Sequence, residues 1–294
     1  MNRIAAVGKF DGVHLGHRAL LREGRGWARD TRLSFLVLTF APQGDAILPL
    51  SVKIRLLREF ADEVEVLRFE DVKDIPAPDF LGLLGERFGV RGLIMGPGHR
   101  FGRGRSGDPD RARSWGRGRG IEVRVVPPFL CQGRPVSARH IREHLRRGEV
   151  REARLLLGRY PSLFGERTSG VGLGRELGHP TVNLDLAPGV LRPRPGVYLA
   201  WAFWRGGDAP GLFYLGERPT FPDLPPTAEI HLFSAPRPEP TGGVEVQLLA
   251  FLRGDRRFPT ADALRDQIAR DVSRGKALLS GFLPPAPLLH GRPR

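Results

Sequence analysis

From Ile4 to about Val126, short apolar runs alternate with amphipathic stretches, the pattern of strands alternating with helices in a parallel sheet. Ile4 to Val7, Ser34 to Phe40, Val64 to Phe69, Gly92 to Met95 and Ile121 to Val126 read as strands. Between them, Lys53 to Phe60 sets Leu56, Leu57 and Phe60 at helical spacing, and Asp79 to Phe88 does the same for Phe80, Leu83, Leu84 and Phe88. This half predicts a doubly wound α/β domain. Two further helices, Ser137 to Arg147 and Val150 to Leu157, each run up to a glycine and would close the domain at about Gly158.

After Gly165 the texture changes to many Gly and Pro residues separating short runs: Gly196 to Phe203, Leu212 to Leu215, Ala228 to Phe233 and Val244 to Leu252. Short strands with turn signals between them predict an antiparallel barrel or sandwich. One helix follows, with Thr260 as N-cap and Leu264, Ile268 and Val272 on a single apolar face. The Pro-rich tail after Phe282 is expected to fray, and no repeat of fixed period is present.

Composition bounds this picture. A chain of 294 residues with 40% apolar content is ample for two packed domains. No apolar run approaches the ~20 residues of a membrane span, and Met1-Asn2-Arg3 passes directly into a core-like strand, so a cytoplasmic protein with no membrane partner is expected. Cys131 is the single cysteine, which excludes an intramolecular disulfide and reads as filler. The net charge of +14 suits phosphate-bearing partners, but only four lysines contribute, and so Arg-rich a chain also reflects compositional bias.

Chemistry enters where the first strand ends, in Gly8-Lys9-Phe10-Asp11-Gly12-Val13-His14-Leu15-Gly16-His17. A buried strand running into a glycine-punctuated loop and a helix makes the crevice where open α/β sheets bind ligands. His14 and His17 share a face if the helix starts there, beside free backbone N–H groups and the positive end of the dipole. Gly16 removes a side chain between them and lets phosphate approach the backbone. A bare H-x-x-H more often caps or covers a helix start. The whole string, however, resembles the signature of the HxGH nucleotidyltransferases, and in its longer form the FMN adenylyltransferase module of bacterial riboflavin kinase/FAD synthetases. Val136-Ser137-Ala138-Arg139-His140-Ile141-Arg142 is similar to the superfamily's second phosphate motif, with Ser137 and Arg142 matching and Arg139 at the threonine position. Gln43 and Gly44 stand where the family has His and Pro, and Gly98 and His99 where it has an acid and an aromatic residue. The resemblance implies that His14, His17, Ser137 and Arg142 hold a nucleotide's phosphates. Gly8, Phe10, Asp11, Gly12 and Gly16 shape the crevice, and Asp11 can equally orient the loop.

A second string, Gly170 to Leu184, resembles the riboflavin kinase signature G-x-x-x-G-R-x-L-G-x-P-T-x-N, here with Gly174, Pro180, Thr181 and Asn183. Thr181 and Asn183 lie two apart, so a strand would direct both to one side, where neutral oxygens suit Mg²⁺ already bound by phosphates. Gly216 to Phe221 and Ala228 to Phe233 are similar to the family's G-x-R-P-T-F and E-x-H-L segments. By that match Glu229 is the catalytic base; without it, Glu229 is an ordinary strand carboxylate. Tyr214 replaces a frequent Asn, and Pro240 to Gly243 replaces a Y-G segment.

Together the resemblances run from about residue 4 to 280. They imply a Rossmann-like nucleotidyltransferase domain (1–158), an antiparallel β-barrel kinase domain with a C-terminal helix (159–285) and a Pro-rich tail (286–294). The implied reactions are ATP-dependent conversion of riboflavin to FMN and of FMN to FAD, with Mg²⁺ as cofactor. The partners would be riboflavin, FMN, FAD, ATP, ADP and pyrophosphate, with room for weak self-association. Two alternatives stand beside this: a riboflavin kinase with an inactive or altered adenylyltransferase domain, and a basic nucleic-acid-binding protein built on Arg103 to Arg119 with Trp115 as a stacking surface.

Overall fold

Strands buried on both faces carry mostly apolar side chains, and two segments of this chain come close: Arg3–Val7 is apolar after Arg3, Ser34–Phe40 apolar but for Ser34 and Thr39, and both are buried almost throughout. In the computed structural model, which describes residues 2–170, 172–221, 223–236 and 238–289, they form the centre of a parallel sheet. The first compact unit comprises residues up to Ala46 together with Leu50–Ala138. Along it run β1 (Arg3–Val7), α1 (Leu15–Thr31), β2 (Ser34–Phe40), α2 (Leu50–Arg58), β3 (Glu63–Leu67) and α3 (Phe69–Val72). Then come α4 (Ala77–Phe88), β4 (Val90–Met95), α5 (Pro109–Gly116), β5 (Glu122–Val125) and a small hairpin, β6 (Leu130–Cys131) with β7 (Arg134–Pro135).

The five long strands pair in parallel in the order β3-β2-β1-β4-β5. The order reverses between β1 and β4, so their carboxyl ends flank the switch point at which such sheets open a crevice. Phe69, expected to end a strand, instead opens α3; with Glu70 and Asp71 in its first turn, that helix start is favoured by the dipole. One side of the sheet packs on α4, with Phe80, Leu81 and Leu84 buried against Val7, Leu93 and Met95.

The second unit gathers Ile47–Pro49 and the residues from Arg139 onward. It contains α6 (Ala138–Arg147), α7 (Val150–Leu157), β8 (Ser162–Thr168), α8 (Leu173–Glu176), β9 (Val182–Leu186), β10 (Gly196–Trp204), β11 (Gly207–Gly216), β12 (Thr227–Leu232), β13 (Gly243–Gly254) and α9 (Ala261–Leu279). The division by contacts falls between 138 and 139, earlier than Gly158, and Val150 of α7 lies in the second unit's buried core. Six strands close into an antiparallel barrel, β10-β11-β12-β9-β8-β13. Alternation sorts the side chains: Tyr198, Ala200, Phe213, Ile230 and Val246 fill one cluster, while Leu199, Leu212 and Leu249 form another with Val272 and Leu279 of α9. The barrel thus has a filled interior and an outer wall partly covered by α9. Thr260 caps α9 as expected, accepting from Ala263 N at 3.1 Å.

The tail is not frayed over its described length. Glu245, fully buried on β13, accepts from Leu288 N at 2.7 Å and Leu289 N at 3.1 Å, while Gln247 donates to Ala286 O at 2.7 Å. Residues 290–294 of that tail lie outside the described residues.

The packing of α1 on the sheet yields a test. A Cβ on Gly24 would sit 2.5 Å from the Phe35 ring and 3.1 Å from Ile94. Gly24→Ala gains roughly 1 kcal/mol of helix propensity, but overpacking costs about 1–3 kcal/mol, so a net loss of stability is expected. A urea midpoint equal to or above wild type would show that the helix can lift off the sheet freely.

Candidate active sites

The loop leaving β1 is shaped by left-handed backbone at three positions. Phe10 (φ 46°), Gly12 (φ 73°) and Val13 (φ 39°) fold it into a single 3-10 turn, Asp11–Val13, before α1 begins. Phe10 and Val13 are buried, so apolar anchoring offsets the strain of their unusual conformation. His14 is not inside the helix but is its N-cap: it keeps extended backbone, and its Nδ1 accepts from His17 N at 3.3 Å. A ring nitrogen that accepts carries no proton, so His14 holds its proton on Nε2. The His14 and His17 rings stack with centroids 3.6 Å apart, and Phe10 meets His17 edge-on at 5.2 Å.

Gly16 is required by crowding rather than by backbone conformation. A Cβ there would lie 3.2 Å from the His14 ring and 3.4 Å from Val136 O. The strand end preceding α6 therefore reaches the start of α1, which brings half-buried Ser137 into the same loop cluster as His14, Gly16 and His17. Gly8 seats its own N–H on Leu38 O at 3.0 Å and leaves room for the Phe10 ring. Arg142 stands on α6 in the second unit. Arg139, at the threonine position, is exposed and pairs with Glu143 at 2.9 Å.

Sequence reasoning passed over Lys53. Its side chain is 3% exposed, and Nζ donates to Phe40 O and, at 3.1 Å, to Lys9 O, which also accepts from Thr39 Oγ1 at 3.2 Å. One ammonium thus ties the loop after β1 to the end of β2. Burial lowers its pKa to about 8, opposed by the charge of Asp11. His99 is also held off its ordinary value, pushed down to about 4 by burial and then by Arg100 and Arg105. It is neutral near pH 7, stacked on Phe101.

In the second unit, outward positions on adjacent strands converge. Glu229 of β12 sits opposite Asn183 of β9 and Tyr214 of β11. Thr181 Oγ1 donates to Glu229 Oε2 at 2.8 Å, and Thr227 Oγ1 lies 3.5 Å from Asn183 Oδ1. Gly174 is needed because a Cβ would meet His179 O at 2.6 Å and Thr181 Oγ1 at 2.9 Å. Pro180, exposed, offers its carbonyl to His231 Nδ1 at 2.9 Å, which pins the loop to β12.

These groups border a cleft of about 800 Å³ on the outer wall, open to solvent and closed on its far side by Leu264 and Ile268 of α9. Its rim includes Tyr214, Arg218, Phe221, Arg253 and Asp255, none assigned a role from sequence. Arg253 holds Asp271 of α9 at 2.7 Å and so fixes the helix against the barrel. A second, more open cleft, about 680 Å³, lies beside Thr227 and is lined by Leu184, Leu186, Arg192, Pro193 and Leu215. Among the described residues no group of three or more His, Cys, Asp or Glu side chains could hold a metal ion, and no helix is long and apolar enough to cross a membrane.

Family models match both units: FAD synthetase over residues 1–140 and riboflavin kinase over residues 157–279. The bifunctional riboflavin kinase/FMN adenylyltransferase of Escherichia coli is 32% identical over 91% of this chain and 90% of its own. That of Haemophilus influenzae is 30% identical over 93% of each. A solved structure titled as a macrolide-efflux protein from Streptococcus pneumoniae is similar with a TM-score of 0.83 and 25% identity, covering 96% of this chain and 95% of that one.

Two expectations follow from Lys53 and His99. Lys53→Met removes the ammonium from the Phe40 carbonyl and leaves Lys9 O with Thr39 Oγ1 as side-chain donor; it is expected to cost about 1–3 kcal/mol, read as a lower urea midpoint, and an unchanged midpoint would mean water replaces the ammonium. Because the folded His99 prefers its neutral form, its contribution is complete above the ordinary 6.5 and declines as pH falls towards about 4. The slope is at most about 1.4 kcal/mol per pH unit, and His99→Phe should flatten it.

Proposed function

The chain belongs to the bifunctional riboflavin kinase/FMN adenylyltransferase family, and from that membership we infer that its units run two successive steps. On the barrel, ATP phosphorylates riboflavin to FMN and ADP departs. On the parallel sheet, FMN is adenylylated to FAD with release of pyrophosphate. The observation that carries the assignment of residues is the hydrogen bond from Thr181 to Glu229 at the edge of a cleft whose far wall is apolar.

In the kinase step Glu229 accepts the proton of riboflavin's 5′-hydroxyl as that oxygen attacks the γ-phosphorus and the bond to ADP breaks. The flavin ring system lies in the cleft beneath α9, against Leu264, Ile268 and Phe221. The adenosine end of ATP lies on the other side of Asn183, in the cleft beside Thr227. Thr181 and Asn183 fit a Mg²⁺ ion that brings its own phosphate oxygens, since both offer neutral side-chain oxygens from neighbouring outward positions and no carboxylate cage is present among the described residues. When bound, the ion supplies charge neutralisation on the phosphates. Gly174 and Pro180 keep the loop close enough for this contact.

In the adenylyl step FMN's phosphate oxygen attacks the α-phosphorus, the bond to pyrophosphate breaks, and no covalent enzyme intermediate is needed. Alignment and charge neutralisation do the work. His14 and His17 donate to the triphosphate from the start of α1, and Ser137 adds a hydroxyl. Gly8, Phe10, Asp11 and Gly16 shape the crevice, and Lys53 holds it. A cytoplasmic enzyme is in keeping with its use of ATP.

Chromatography of products from riboflavin, ATP and Mg²⁺ tests both steps. Glu229→Gln should lower FMN formation at least ~100-fold, and His17→Ala should do the same to FAD formation from supplied FMN. Either variant running near the wild-type rate removes the corresponding assignment.

A further inference from the structure

The kinase cleft contains a cation that the steps above leave idle. Arg218 follows β11 in a turn whose backbone is left-handed, φ 51°, a conformation strained for any residue but glycine. A short relay of hydrogen bonds holds it there. Arg218 N donates to Tyr214 Oη at 3.0 Å, Tyr214 Oη donates to Asp255 Oδ1 at 3.0 Å, and Asp255 Oδ2 accepts from Glu217 N at 3.1 Å. Burial raises the Tyr214 pKa, so the phenol stays protonated and the relay intact at neutral pH.

The turn delivers a guanidinium that is 8% exposed to the wall of the cleft. Its Nη2 is 3.9 Å from Glu229 Oε1, beyond hydrogen-bonding distance. Nη1 donates to Pro225 O at 3.2 Å, and the buried Nε has no hydrogen-bond partner among the described residues. The other arginines lining this cleft are engaged: Arg253 is paired with Asp271, and Arg256 lies over the Phe258 ring at 5.0 Å. A buried guanidinium with unsatisfied donors, next to the base and fixed by a strained turn, is arranged for a ligand oxygen.

We propose that Arg218 is a catalytic residue of the kinase step, donating hydrogen bonds to the oxygens of the phosphoryl group as it passes from ATP to the 5′-oxygen of riboflavin. The inference rests on the kinase reading of this cleft. Negative charge on the transferring group sits on its peripheral oxygens, and a planar cation fixed in advance stabilises it without reorganisation. Thr181 and Asn183 would meet the phosphates from β9, Glu229 the hydroxyl, and Arg218 the group between them. Tyr214 and Asp255 are positioning residues for Arg218.

The test uses the full chain and three readouts: kcat for FMN formation, riboflavin affinity from quenching of flavin fluorescence, and FAD formation from supplied FMN. Arg218→Ala is expected to lower kcat about 100-fold or more, leave riboflavin affinity within about threefold and spare FAD formation. Millimolar guanidinium should restore part of the lost rate, which a structural role would not allow. Tyr214→Phe should lower kcat less, about tenfold, through the turn alone. A kcat for Arg218→Ala within about threefold of wild type, or a loss explained wholly by weaker riboflavin binding, overturns the proposal. If Arg218→Ala fails to bind riboflavin at all, Arg218→Lys decides: a wild-type kcat refutes a role for the planar fork, and a fall with intact affinity supports it. A wild-type protein that makes no FMN would instead sink the kinase reading itself, and this proposal with it.

Discussion

Closing six strands into a barrel forces every second side chain outward, and the kinase half of this enzyme depends on that constraint. The interior is filled by Tyr198, Phe213, Ile230 and their neighbours, leaving no room for substrate there. Chemistry must occupy the outer wall, so Thr181, Asn183, Glu229 and His231 share a face by strand alternation, without individual placement. The wall alone would be too open. Arg253, clamped to the buried Asp271, draws α9 alongside and converts an exposed sheet face into a cleft.

The parallel sheet solves the same problem with a different geometry. Here the candidate anion site lies at one place, where strand order reverses between β1 and β4. Strained backbone at Phe10 and Val13 is tolerated because both side chains are buried, and His14 spends one ring nitrogen on capping the helix. Lys53 contributes no group to the crevice surface, yet its ammonium joins the two strand ends that bound it. Both halves thus hold their candidate phosphate donors at element ends or on adjoining strands.

The elements most legible in the sequence were those with an unambiguous period or an unbroken apolar run. Ser34 to Phe40 has the bounds of β2, and Val150 to Leu157 those of α7. By contrast β9, Val182–Leu186, lies in a Gly- and Pro-rich stretch and pairs with β12 over only the Glu229↔Asn183 and Ile230↔Val182 register, so no run announced it as an element. The helix α5 hides in an Arg-rich segment, where charge masks Ala112 and a Pro109 start capped by Asp108. Motifs singled out Glu229, Thr181, His14 and His17 because each stands in a short, recognisable string. Lys53 resembled an ordinary charged residue on an amphipathic helix, and Arg218 only acquires meaning once Glu229 is seen across the cleft. The tail was misjudged for a related reason: its prolines signalled irregular backbone, but the carboxylate that binds it is far away in the chain.

That carboxylate also sets an order on the protein's making. Glu245 is fully buried, and the backbone N–H groups of Leu288 and Leu289 that satisfy it are synthesised 43 and 44 residues later. Before they emerge, the buried carboxylate has Ser162 and Gln247 as donors to Oε1, and Oε2 still lacks the two backbone N–H groups that meet it in the finished chain. The parallel-sheet unit, whose core closes within its own strands and helices, has no such debt to the tail. The set of hydrogen-bond partners around that carboxylate is therefore complete only once the residues that trail behind the barrel have been made.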